Sequence, residues 1–345
     1  MLEVPMGGTD YSALLACVRR EGLFQPRRIY YLTSISVNTA LLLLGWFVFA
    51  DIGDSWWQIL TALYLAVLFA QTAFLVHDAG HYQIFRSHKL NHMFGLLYAN
   101  LTLGMAFGWW VPKHHNHHTH PNTQDLDPDL VNKFIALTPL QADPRSGLHR
   151  LTHKNQAALF FPLMLFMALA IHVHSVVALT RLRYRQRLVE ALLLGVHLAA
   201  YSAAVLVVLS PWRALTFVTV QQGILGLYLG CSFAPNHKGM ALWDNGYEVD
   251  FLRRQVLSSR NVCGNFLVDL ALGGLNYQIE HHLFPNMPRP NLRQACPLVR
   301  AFCQDYGISY TETSLFDSFR QTMSYLRLLS GNPLKEVALG EEHAA

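Results

Sequence analysis

Four long apolar runs set the plan of this chain, at about 31–50, 57–76, 188–209 and 214–234. Each is close to the roughly 20 residues that an α-helix needs to cross a bilayer. Their interiors are almost free of Asp, Glu, Lys and Arg, so they read as transmembrane helices. Two further apolar stretches, about 93–111 and 157–177, are interrupted, the first by Gly and polar residues, the second by His172 and His174. These read as re-entrant or interfacial helices, because backbone breaks at membrane depth are tolerated where protein covers them. Near the C-terminus, Leu315 or Phe316, Phe319, Met323 and Leu326 recur at helical spacing behind Ser314, a residue suited to cap a helix. The expected fold is an all-α integral membrane protein, one integrated domain over 1–345. Its four transmembrane helices carry a cytoplasmic helical cap, with a C-terminal helical part at about 286–330 and a mobile tail at about 334–345.

Composition supports the membrane plan: only 14% of residues are charged and 52% are hydrophobic, more apolar than ordinary soluble domains. Loop charge then orients it. Arg19, Arg20, Arg27 and Arg28 precede the first span, whereas Asp51 and Asp54 follow it, which puts the N-terminus in the cytoplasm. The basic loop Arg181, Arg183, Arg185 and Arg187 agrees if two spans lie between. The net charge of +4 is thus a topology signal and implies no nucleic-acid partner. No secretory signal is evident, since the first apolar run is long enough to be retained as a span. Five cysteines, odd in number and without a CxxC pair, imply reduced thiols rather than a disulfide framework. No internal repeat or linker divides the chain.

Histidine supplies the candidate chemistry. Five of the seven residues 114–120 are His, and His114, His117 and His118 share one face of a helix at i, i+3 and i+4. His77 and His81 lie one turn apart at the end of the second run, Gln278, His281 and His282 repeat the 114–117–118 spacing, and His237 closes the fourth run. If neither interrupted stretch crosses the membrane, span parity places all of these on the cytoplasmic side. His77, His81, His114, His117, His118, His237, His281 and His282, with Gln278 as a weaker candidate, are too many ligands for one four-coordinate zinc, and two metal ions are the economical answer. Imidazole alone does not choose among iron, copper, nickel and zinc. Asp78, Asp125, Asp127, Asp129, Asp250, Glu280 and Asn236 are candidates to orient the ligand rings. Trp109 and Trp110 suit interfacial anchoring, or the mouth of a substrate tunnel. His88, His92, His149, His153, His172, His174 and His197 share no spacing with these clusters and read as structural.

HDxGH at 77–81, HxxHH at 114–118 and QxxHH at 278–282, in this order around two pairs of spans, resemble the membrane fatty acid desaturases over about residues 30–300. The resemblance implies a non-haem di-iron centre with O2 as co-substrate. It implies removal of two hydrogens from neighbouring methylenes of a lipid-linked or CoA-linked acyl chain, and electrons from a partner. The Gln at 278 is similar to the front-end branch. Many front-end members carry a fused cytochrome b5 marked His-Pro-Gly-Gly, which is not in this sequence, so an external donor is implied, such as ferredoxin or cytochrome b5 with its reductase. His115 and His120 depart from the family pattern. A hydroxylase or acetylenase on the same scaffold is the nearest rival. A metal transporter would need ionisable ligands near the bilayer midplane, for which His197 is the only candidate. The location implied is a multi-pass protein of the cell membrane if the chain is bacterial.

Overall fold

A computed structural model describes residues 9–132, 134–142 and 152–331, so the tail expected at 334–345 lies outside the described residues. The chain begins with α1 (Asp10–Arg20), whose cap Thr9 accepts a hydrogen bond from Ser12 N. The apolar runs become α2 (Arg28–Ile52), α3 (Gln58–Gly80), α8 (Arg187–Val208) and α9 (Pro211–His237), each long and apolar enough to cross a membrane. Helix α3 is the most buried of the four and α8 the least, which puts α3 at the centre and leaves α8 facing outward. Polar residues join the spans: Asn38 Nδ2 donates to Thr72 Oγ1 at 2.7 Å between α2 and α3.

Both interrupted stretches are sharply bent helix pairs. The first consists of α4 (His88–Leu97) with a π-helical turn at Tyr98–Leu103, then α5 (Phe107–Thr119), bent by 112°. The second is α6 (Gln156–Met164) followed by α7 (Met167–Arg181), bent by 69°. Gly104 makes the first break at φ 66°, and a Cβ there would lie 2.7 Å from His197 Cδ2. Breaking a helix inside apolar surroundings frees carbonyls that water cannot reach. Two histidines outside the boxes answer them: His172 Nδ1 lies 2.9 Å from Gly104 O, and His197 Nδ1 lies 2.9 Å from Leu101 O. The second break is covered by α9, where Gly226 lets the backbone at Met164 approach so closely that a Cβ would sit 2.6 Å from Met164 O.

The remaining elements form the cap. They are α10 (Phe251–Leu257), β1 (Asn261–Val262), α11 (Phe266–Ala271), α12 (Gln278–Leu283), α13 (Arg289–Asp305), β2 (Glu312–Thr313) and α14 (Leu315–Ser330). Strands β1 and β2 pair in parallel, Asn261 opposite Glu312. Leu14 and Val18 of α1, Val256, Ile279, Leu283 and Phe302 build a second apolar core that clamps α12. Ser314 caps α14 as expected, accepting from Asp317 N at 3.0 Å. The expected stripe on α14 holds in part, since Leu326 is buried and Met323 packs in the same apolar cluster. The buried face of the helix is Ser318, Thr322, Leu326 and Leu329, while Leu315 and Phe316 are exposed. Ser318 is held there by a polar docking contact, its Oγ donating to Pro235 O of α9 at 2.8 Å. All five cysteines are free.

Candidate metal centre

Four helix ends deliver the histidines. His77 stands in the last turn of α3, and His81 caps that helix, its N–H bonded to His77 O at 3.1 Å. Helix α5 carries His114, His117 and His118 in its last two turns, close to α3. Gly80 faces Trp110 so tightly that a Cβ would lie 3.0 Å from its ring. His237 is the final residue of α9, and α12 presents His281 and His282. All eight candidate histidines meet here. His77, His81, His114, His118 and His281 form one group, each offering a ring nitrogen within 4.8 Å of the others, and His117, His237 and His282 form a second.

The donor set fits metal ions. His77 Nε2, His118 Nδ1, His281 Nε2 and His282 Nε2 are buried without a hydrogen-bond partner among the described residues, which is costly for a polar atom that has no other role. His81 Nε2 and His114 Nε2 face each other at 2.8 Å, and His118 Nε2 lies 3.2 Å from the same His114 atom. Lone pairs converging so closely repel unless a cation or proton lies between them. Burial, followed by the neighbouring imidazoles, holds His81, His281 and His282 well below the usual histidine range. They are therefore neutral near pH 7, the form that ligates metal.

Orientation of the rings comes from residues that pin the far nitrogen. His117 Nδ1 donates to both oxygens of Asp127 at 3.0 Å, leaving Nε2 for the His237 and His282 group. His237 Nδ1 donates to Ser258 O at 2.9 Å, and His282 Nδ1 to Gln255 Oε1 at 3.0 Å. Asn122, in the left-handed region at φ 51°, ties these parts together. Its N–H donates to Asp127 Oδ2 at 2.8 Å and its side chain to His237 O at 3.1 Å. Gln278 Nε2 lies 2.9 Å from His237 Nε2, while its Oε1 accepts from Asn236 Nδ2 at 3.1 Å. Gln278 thus borders the three-histidine group, and Asn236 aims the Gln278 amide rather than an imidazole.

The acids divide differently from expectation. Asp127 is the carboxylate on a ligand ring. Asp129 pairs with Lys113 and stands 3.8 Å from His117 Nδ1, so in the third cluster, His117, Asp127 and Asp129, a lysine already faces one carboxylate. Asp125 is exposed at φ 62° and bonds no site histidine among the described residues, because the turn directs its side chain outward. Asp78 is 3.5 Å from His77 Nδ1 but makes its close ion pair, 2.6 Å, with buried Arg289. Glu280 accepts from Asn261 Nδ2 at 2.7 Å and Tyr310 OH at 2.8 Å, and burial pushes its carboxyl up to about 7. It ties α12 to β1 and Tyr310, and it hydrogen-bonds no imidazole among the described residues. Asp250 caps α10 and pairs with Arg253. His115 bonds Gly80 O at 3.0 Å, and His120 lies 3.5 Å from Arg254, so neither extra histidine joins the metal groups. Trp110 stacks on His114 at 4.7 Å between ring centroids, and Trp109 sits 5.8 Å from His174.

Residues 54–314 match the family model described as fatty acid desaturase. The chain belongs to the fatty acid desaturase family. An acyl-lipid (9-3)-desaturase from Physcomitrium patens is 30% identical over 97% of this chain and 64% of its own length. A Delta(8)-fatty-acid desaturase from Helianthus annuus is 28% identical over 92% of this chain and 72% of its own. A fatty acid desaturase 2-like protein from Mus musculus is 26% identical, with 92% and 66% covered. The chain thus spans about two thirds of the length of these relatives. The desaturase match starts just before α3 and ends at the α14 cap, so it encloses all eight histidines. Gln255, Asn122 and Arg289, which hold the histidine site together, carried no local sequence signal, since each acts on a partner distant in the chain.

Proposed function

We propose that this chain is an O2-dependent fatty acyl desaturase whose eight histidines hold two iron ions. The observation that carries the proposal is the convergence of HDxGH, HxxHH, His237 and QxxHH into two adjacent groups of imidazole nitrogens with unpartnered buried atoms. Bound there, iron supplies the oxidising power, drawn from O2, that an unactivated methylene requires, since such a carbon has no acidic proton for a base to take. Two hydrogens leave neighbouring carbons, a double bond forms, and O2 becomes two waters with two further electrons and two protons from an external donor. A ferredoxin, or cytochrome b5 with its reductase, suits that role.

The protein's own residues fix the orientation of the rings. Asp127, Ser258 and Gln255 each hold the Nδ1–H of one histidine of the second group, so each ring presents Nε2. Gln278 resembles the front-end branch, and the relative named an acyl-lipid desaturase supports a lipid-linked acyl substrate, with a CoA-linked chain as the alternative. The N-terminus and site are assigned to the cytoplasmic face on loop charge. A transporter is less well supported, because the histidines gather in two groups at helix ends and His197 belongs to neither.

The test is expression in a host of known lipid content with a supplied donor, followed by mass spectrometry of total fatty acids. A new double bond, absent with His118→Ala, is expected; a hydroxylated product would assign the chain to the hydroxylase alternative.

A further inference from the structure

Helix α5 carries three of the eight histidines, yet it starts in an unfavourable place. Its first residues follow the Gly104 break, and Ala106 at its N-cap offers no side-chain acceptor. The first N–H groups of a helix have no partner within it, and at membrane depth water does not supply one. Two other helices do. Ala106 N–H donates to Ser175 Oγ of α7 at 3.0 Å, and Gly108 N–H donates to both carboxylate oxygens of Glu190 of α8, at 3.0 and 3.1 Å. Glu190 is fully buried and also accepts from Asn100 Nδ2 of the π-helical turn at 3.4 Å. It has no Lys or Arg partner in an ion pair among the described residues. The place beside it is shaped for glycine, since a Cβ on residue 108 would lie 2.6 Å from Glu190 Oε1.

We propose that Glu190 is a positioning residue for the metal centre, a carboxylate on α8 that fixes the start of α5 and thereby the height and rotation of His114, His117 and His118. An anion at a helix N-terminus complements both its free N–H groups and its dipole. From Gly108 to His114 is six residues of helix, about 9 Å at 1.5 Å per residue, with Pro112 between them removing one internal hydrogen bond, so the anchoring of Gly108 from outside matters the more. Gly80, Trp110 and His114 pack α5 against α3 on one side, and Glu190 holds its other end. The acid at position 190 is the exception in an otherwise apolar run, and the helix end it serves accounts for it.

The inference rests on the di-iron proposal for its consequence but not for its geometry, so the experiment has two arms. Purified Glu190→Ala and Glu190→Gln proteins are compared with the parent by hydrogen–deuterium exchange of peptides from α5 and α9, and by iron affinity in chelator competition, with His118→Ala as the metal-loss control. Glu190→Ala is expected to speed exchange at 107–113 while 211–237 stays protected, and to weaken iron binding by about tenfold, the lower range for a partner behind the ligands. Glu190→Gln keeps an acceptor oxygen and should restore both. Unchanged exchange at 107–113, or unchanged iron affinity in Glu190→Ala, overturns the proposal. If Glu190→Ala fails to fold while Glu190→Gln behaves as the parent, the acceptor role is upheld; failure of both overturns it, because the carboxylate would then serve the whole fold. A parent protein whose iron binding His118→Ala does not diminish would overturn the di-iron proposal instead, and the exchange arm would still decide where Glu190 acts.

Discussion

Gln255 and His282 are joined at 3.0 Å, the amide oxygen of one accepting from Nδ1 of the other, while the Gln255 amide nitrogen donates to the carbonyl of His118, also at 3.0 Å. A single buried side chain therefore sets a ring of the third box against the backbone of the second. Gln255→Leu should free the His282 ring to adopt either tautomer and weaken iron binding about 10–100-fold. Chelator competition measures this. Asp127→Asn should produce a similar loss, and Asp125→Asn none; equal losses from both Asp variants would contradict the assignment of Asp127 as the partner of His117.

The buried Asp78–Arg289 pair ties the end of α3 to the start of α13. Removing one partner strands the other charge, so Arg289→Met should destabilise by about 3–5 kcal/mol. Asp78→Asn combined with Arg289→Met should recover part of that loss. Thermal unfolding of the detergent-solubilised variants tests it, and a double variant no better than the worse single one would count against the pair.

Acid should act through the histidines. The folded chain holds His81, His281 and His282 well below their unfolded value of about 6.5, so the unfolded chain binds the more protons below that value. The stability they contribute is present above about pH 6.5 and is lost as pH falls toward their folded values. Glu280, raised to about 7 by burial, and His117, also raised, act in the opposite sense, but the three lowered imidazoles outnumber them, so iron-free protein should show a melting temperature that falls below about pH 6.5. A melting temperature that rose between pH 6.5 and 5 would contradict this. Loaded protein should release iron over the same acid range, as protons compete for the ring nitrogens.

Gly226 tests the packing of the second bent pair. A side chain there meets the backbone at Met164 and Leu165, which cannot rotate away as a flexible side chain would. Gly226→Val should cost about 1–3 kcal/mol of overpacking and lower the melting temperature, whereas Gly195→Val, with open space around it, should change little.

What could be read from the sequence was whatever is local. Long apolar runs announce spans, and one-turn spacings announce His77 with His81 and the triad in α5, because helical period alone brings those rings together. The partners of the site were not legible, since Gln255 stands 27 residues from His282 and Asn122 stands 115 from His237, and no period links them. Asp127 was confused with Asp125 and Asp129 for a related reason. Which acid of a loop faces inward depends on turn geometry, here the left-handed backbone at Asn122 and Asp125. Ser318 joins Leu326 on the buried face of α14 because it docks on a carbonyl of α9, a polar contact that hydrophobic spacing does not register.

The ligand helices share one further property, the direction in which they point. His77, His117 with His118, His237, and His281 with His282 all occupy the last turns of α3, α5, α9 and α12. Four C-terminal ends, each carrying about half a negative charge from its aligned peptide dipoles, converge on one small volume. Neither group of imidazoles includes a carboxylate, so the backbone adds to the field of Asp127, behind His117, in favouring cations there. On the di-iron reading proposed above, part of the countercharge for the two ions would be distributed through the peptide units of the scaffold, where no single side-chain substitution can remove it.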